Sequence, residues 1–69
     1  MQLSARNQLN ATVEAVNHGE VMSTVRATLP DGQKVTAAIT REAATELGFT
    51  PGDQVLVVVK ATEVMLAKE

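Results

Sequence analysis

Leu9-Asn10-Ala11-Thr12-Val13-Glu14-Ala15 alternates apolar and polar side chains at every step. A period of two places Leu9, Ala11, Val13 and Ala15 on one face of a strand and Asn10, Thr12 and Glu14 on the other. The same period governs the next two segments. His18-Gly19, flanked by Asn17 and Glu20, punctuates the chain. Val21, Ser23, Val25, Ala27 and Leu29 then predict one face of a second strand, with Met22, Thr24, Arg26 and Thr28 opposite. Pro30-Asp31-Gly32 reads as a turn, because Pro presets φ and Gly accepts positive φ. Val35, Ala37 and Ile39 mark a third strand, which closes a hairpin with the second.

One short helix interrupts this pattern. Thr40 is its expected N-cap, Glu42 suits the positive helix N-terminus, Ala43 and Ala44 favour helix, and Gly48 is the natural C′ residue. Ala44 and Leu47 are expected to face the sheet. Thr50-Pro51-Gly52-Asp53 turns the chain into Val55-Leu56-Val57-Val58-Val59, a run apolar on both faces. Such a run belongs to a central strand, or to one covered by a second subunit. Lys60-Ala61-Thr62 breaks it, and Glu63 to Ala67 predicts a fifth strand with Val64 and Leu66 on one side. Five strands with a helix between the third and fourth make an all-β, OB-like Greek-key barrel over residues 1–69 as a single domain.

Composition narrows the chemistry. With 69 residues, the chain has room for one core, and a core of that size rarely supplies more than ~3–5 kcal/mol. Zero Cys rules out disulfides and thiolate metal sites, and a single His leaves no nitrogen cluster, so no bare metal cation is expected. Oligomerisation is the remaining support for so small a domain. Eight acidic residues against six basic ones supply no broad face for nucleic acid, and Phe49 is the only aromatic residue for base stacking. Met1 to Arg6 lacks the apolar stretch of a signal peptide, and no run approaches a membrane span, so a cytoplasmic protein is expected.

No catalytic constellation is legible. His18 has no nucleophile at a recognisable spacing, the carboxylates are scattered, and glycine-rich phosphate loops are missing, so the chain reads as a non-enzyme without cofactor. Two segments are instead dense in hydrogen-bond donors. Ser4-Ala5-Arg6-Asn7-Gln8 carries a hydroxyl, a guanidinium fork and side-chain amides before the first strand, and Lys60-Ala61-Thr62 lies at the break after the fourth. Taken alone, these are ordinary polar segments of a small β domain.

Ser-Ala-Arg-Asn-Gln-Leu at 4–9, Pro-Gly-Asp-Gln-Val at 51–55 and Lys-Ala-Thr-Glu-Val-Met-Leu-Ala at 60–67 together resemble the molbindins. These are small Mop-type molybdate-binding proteins whose fold recurs in TOBE domains. The resemblance runs over essentially the whole chain. It implies an OB-like barrel, strand exchange between subunits, a homohexamer built as a trimer of dimers, and oxyanion sites at subunit interfaces for storage or homeostasis. The implied ligand is molybdate, or tungstate. Carried over by position, Ser4, Ala5, Arg6 and Asn7 of one subunit meet Lys60, Ala61 and Thr62 of another, with Ala5 and Ala61 contributing backbone alone. The family also has sites on a three-fold axis, for which His18, Gly19 and Glu20 are the candidates here, although the charge of Glu20 opposes an anion.

The ligand's chemistry agrees with those residues. Molybdate is a tetrahedral dianion with four acceptor oxygens and no proton, so its site wants donors. A rival resemblance links Arg41 to Asp53 with swapped-hairpin, AbrB-like transcription factors, which bind DNA. That reading needs a basic surface and leaves the opening and closing motifs unexplained. The two-faced run from Val55 to Val59 makes a testable demand for a partner. Val58→Asp should lower assembly and folding together, because a buried unpaired charge is costly; a well-folded wild-type monomer persisting at micromolar concentration in sedimentation experiments would contradict it.

Overall fold

A computed structural model describes residues 3–69 of the chain. Its sheet contains four strands: β1 (Asn7–His18), β2 (Met22–Thr28), β3 (Lys34–Thr40) and β4 (Gln54–Val59). A helix, α1 (Arg41–Leu47), links β3 to β4, and one 3₁₀ turn (Ala61–Glu63) comes after β4. Every pairing is antiparallel, in the order β3-β2-β1-β4. The long first strand serves two partners: its first half pairs with β4, from Asn7↔Val59 to Thr12↔Gln54, and its second half pairs with β2.

The change of partner coincides with a β-bulge. The β1–β2 register slips between Val13, opposite Ala27, and Ala15, opposite Arg26. Glu14 is the extra residue, and a bulge of this kind bends the strand and increases its twist. It also inverts the alternation. Ala11 and Val13 are buried before it, but after it Val16 lies opposite the buried Val25, while Ala15 sits across from exposed Arg26. The expectation that Ala15 continues the inner face therefore fails. An unbroken period of two in the sequence conceals an inserted residue.

The loop before β4 docks against this point. Val13 N–H donates to the Asp53 carbonyl at 2.8 Å, and Gly52 N–H donates to the Val13 carbonyl at 2.8 Å. The Asp53 carboxylate closes the same turn by accepting from Thr50 N–H (2.9 Å) and Thr50 Oγ1 (3.1 Å). At the β2–β3 turn, Asp31 accepts from the Gln33 side chain (2.6 Å) and backbone (3.1 Å), which hold its carboxyl below the usual range.

The helix caps are those the sequence predicts. Thr40 Oγ1 accepts from Ala43 N–H at 3.1 Å, and Gly48 takes the left-handed conformation (φ 63°) with its N–H on the Ala44 carbonyl. Ala44 is buried as expected, whereas Leu47 is 67% exposed and does not face the sheet.

The fully buried core is small in volume: Ala5, Ala11, Val13, Val25, Ala27 and Ala44, with Ser23 beside them. Residues 64–69 form no strand, and Met65 and Leu66 are more than nine-tenths exposed. The expected fifth strand is thus absent from the single chain, because nothing pairs with it. β3 and β4 remain edges, and the curled sheet leaves an apolar cleft of about 230 Å³ lined by Val25, Val35, Ile39, Phe49, Val55 and Val57. The OB-like curl is present but not closed.

The β1–β2 turn yields a stability prediction. Gly19 N–H donates to the Met22 carbonyl at 2.8 Å, and a Cβ at Gly19 would lie 2.7 Å from that same backbone oxygen. Gly19→Ala should destabilise the fold by about 1–3 kcal/mol, since the turn must move to relieve the contact. Urea titration checks this; an unchanged midpoint would contradict it.

Candidate functional site

Antiparallel pairing of β1 with β4 decides where the donor segments lie. Asn7 opposes Val59, so Ser4-Ala5-Arg6, which leads into β1, and Lys60-Ala61-Thr62, which leaves β4, meet at one end of the same strand pair. Asn7 fastens these distant parts of the chain, its Nδ2 donating to the Val59 carbonyl at 3.2 Å. On the other side, Gln8 Nε2 donates back to the Ala5 carbonyl at 3.1 Å and fixes the bend of the arm.

Burial sorts the residues by role. Ala5 is buried and anchors the arm, whereas Ser4, Arg6, Lys60, Ala61 and Thr62 are exposed. The ion pair between Lys34 and Glu14 is the only one among the described residues, so Arg6 and Lys60 are not neutralised within them. In the 3₁₀ turn, Glu63 N–H donates to the Lys60 carbonyl (2.9 Å) and Val64 N–H to the Ala61 carbonyl (3.4 Å). The leading amides, on Ala61 and Thr62, have no acceptor among the described residues, as at the start of any helical turn. This end of the sheet therefore presents two cationic side chains, two hydroxyls and free backbone N–H groups, with the exposed carboxylate of Glu63 at the close of the turn. Such a surface suits an anion that accepts hydrogen bonds and donates none.

The His18-Gly19-Glu20 turn lies at the far end of β1 from the arm. His18 Nδ1 is 2.8 Å from Oγ of Ser23, a hydroxyl otherwise sealed from solvent, which leaves Nε2 free to face outward. Sequence reasoning passed over Arg41 here. Its Nη1 donates to the Gly19 carbonyl at 3.3 Å and its backbone N–H to the Val21 carbonyl at 2.7 Å. A cation in the first turn of a helix opposes the helix dipole, and that misplacement was the available signal that Arg41 serves another element. Its guanidinium brings a positive charge to the turn that also carries Glu20.

The described residues contain no group of three or more His, Asp or Glu placed to hold a metal ion. None of their helices is long and apolar enough to cross a membrane.

The model of the TOBE domain matches residues 3–66. Among curated proteins, the chain is 46% identical over 67 residues to the molybdenum-pterin-binding protein MopA of Rhodobacter capsulatus, covering 97% of this chain but 25% of MopA. It is 39% identical over 66 residues to molybdenum-pterin-binding protein 3 of Clostridium pasteurianum, covering 96% of this chain and 97% of that protein. Among solved structures, a molybdate-binding protein from Sporomusa ovata superposes with a TM-score of 0.93 at 40% identity, over 99% of this chain and 100% of that one. These likenesses take in the stretch from Arg41 to Asp53 that suggested a swapped-hairpin regulator, along with both donor segments.

The fastening role of Asn7 can be measured. Asn7→Ala should cost about 0.5–1.5 kcal/mol of stability, the worth of a typical net hydrogen bond. It should also speed amide exchange at the end of β4, and unchanged protection there would contradict that role.

Proposed function

The chain belongs to the TOBE-domain family, and we propose that it binds molybdate, or the nearly equal-sized tungstate, at the end of the sheet where its two donor segments meet. The observation that carries this reading is the β1–β4 register, which gathers Ser4, Arg6, Asn7, Lys60 and Thr62, with the backbone of Ala5 and Ala61, around one surface. A tetrahedral dianion needs its acceptors matched by donors on several sides, and this surface supplies such donors, provided that the exposed carboxylate of Glu63 in the same turn points away from the anion. The role is storage or homeostasis of the oxyanion in the cytoplasm, with no catalytic step and no cofactor.

Assembly completes the site. One chain leaves its donors exposed on one side, and water would compete for every hydrogen bond. A second copy closes the cage, so that Ser4 to Asn7 of one subunit, beside its own Lys60 to Thr62, also face Lys60 to Thr62 of another. The same association fills the apolar cleft. The exposed Val64–Leu66 segment of one copy enters the gap between β3 and β4 of its partner as the fifth barrel strand. Three such dimers make the homohexamer. The turn of His18, Gly19 and Glu20, with Arg41 behind it, lines a second anion site on the three-fold axis.

Calorimetry with molybdate tests the binding reading, with phosphate as competitor. Phosphate is partly protonated near neutral pH, and an O–H facing an N–H leaves a hydrogen bond unmade at a cost of roughly 1–3 kcal/mol. Phosphate should therefore compete poorly, and displacement at equal concentration would contradict the cage. Ser4→Ala and Thr62→Ala should each weaken molybdate binding by about 0.5–1.5 kcal/mol, and more where the lost bond is charge-assisted. Mixing subunits altered at Asn7 with subunits altered at Thr62 should restore part of the binding. If each site lies within a single subunit, mixing restores nothing.

A further inference from the structure

A site for a dianion must supply donors, and it must also keep acceptors out of reach. Backbone is the difficulty, because each peptide that offers an N–H also brings a carbonyl oxygen, and a carbonyl facing an oxyanion repels it. Four carbonyls in or beside the two donor segments are already occupied. Two are taken by the 3₁₀ turn: Glu63 N–H covers the Lys60 oxygen at 2.9 Å and Val64 N–H covers the Ala61 oxygen at 3.4 Å. The other two are taken by side-chain amides. Asn7 Nδ2 covers the Val59 oxygen at 3.2 Å, and Gln8 Nε2 covers the Ala5 oxygen at 3.1 Å.

Neither backbone pairing nor burial requires Gln8 to be there. Its side chain is exposed on the outward face of β1, opposite Val58, and reaches back three residues to the arm. Since the partner is a carbonyl, the nitrogen of the amide must face it. We infer that Gln8 is a specificity-determining positioning residue: by occupying the Ala5 carbonyl, together with Asn7 on Val59, it removes two acceptors from the site and so favours fully deprotonated oxyanions. This rests on the molybdate-binding reading and adds the basis of its discrimination. Gln8 itself does not touch the anion.

The inference differs from a merely structural role in one readout. Removing the amide uncovers an acceptor, which disfavours molybdate but gives a protonated oxyanion a partner for its O–H. Gln8→Met keeps the length of the side chain and deletes the donor. In the assembled protein, calorimetry should show molybdate affinity falling about tenfold, the scale of one unmade hydrogen bond, while affinity for hydrogen phosphate holds or rises. The ratio between the two anions should therefore collapse by about tenfold or more. Gln8→Lys restores a donor and should restore the ratio, even though its charge raises affinity for both anions. Asn10→Met, two residues along the same outward face, should leave the ratio unchanged. Parallel weakening of both anions in Gln8→Met, or an unchanged ratio, would overturn the inference while leaving molybdate binding intact. Absence of molybdate binding by the unaltered protein would overturn both readings.

Discussion

The gap between β3 and β4 is the constraint on which the rest of the structure depends. On its own the chain seals little: its largest fully buried side chains are Val13 and Ser23. The bulky apolar residues of β4 stay half-covered, and Phe49 lines an open cleft where a closed barrel would have a fifth strand. An uncharged apolar edge such as Gln54–Val59 invites pairing with another chain. The chain carries a matching segment in Val64–Leu66, which is exposed and has no strand of its own to join. The donor loop Lys60-Ala61-Thr62 lies between that edge and that segment. In the proposed assembly, covering the apolar surface and enclosing the anion are two consequences of one association.

Electrostatics has to work against the composition. The chain carries a net charge of −2, which is unfavourable for a dianion unless its carboxylates are kept from the site. Several are held by local contacts elsewhere. Glu14 pairs with Lys34, Asp31 is bound by Gln33, and Asp53 is bound by Thr50. The uncompensated cations Arg6 and Lys60 lie where β1 begins and β4 ends. For the proposed site, the placement of Arg6 and Lys60 matters more than net charge, and it must outweigh the nearby Glu63.

Much of this was legible in the sequence, for reasons that are physical. Period-two alternation located β1 to β3 and the apolar run located β4, while Thr40 and Gly48 announced the helix ends because capping depends on local chemistry alone. The donor segments were visible as composition. What the sequence could not disclose depended on space. The bulge at Glu14 inserts a residue without disturbing the written alternation, so Ala15 and Val16 exchange faces. Leu47 matches the helical period yet, as the last residue of a seven-residue helix, stays exposed to solvent. Val64 to Ala67 has the pattern of a strand, but a strand needs a neighbour, and one chain offers none. Gln8 reads as a generic polar residue in the sequence; only the fold brings the Ala5 carbonyl within its reach.

Native mass spectrometry with and without molybdate tests enclosure of the anion between subunits most directly, because it counts subunits and anions in the same particle. If two copies enclose each anion, molybdate is retained by the multi-subunit assembly in fixed stoichiometry, and monomers released from it carry none. A monomer that retains molybdate would contradict shared enclosure, and so would an assembly that forms without ever holding the anion.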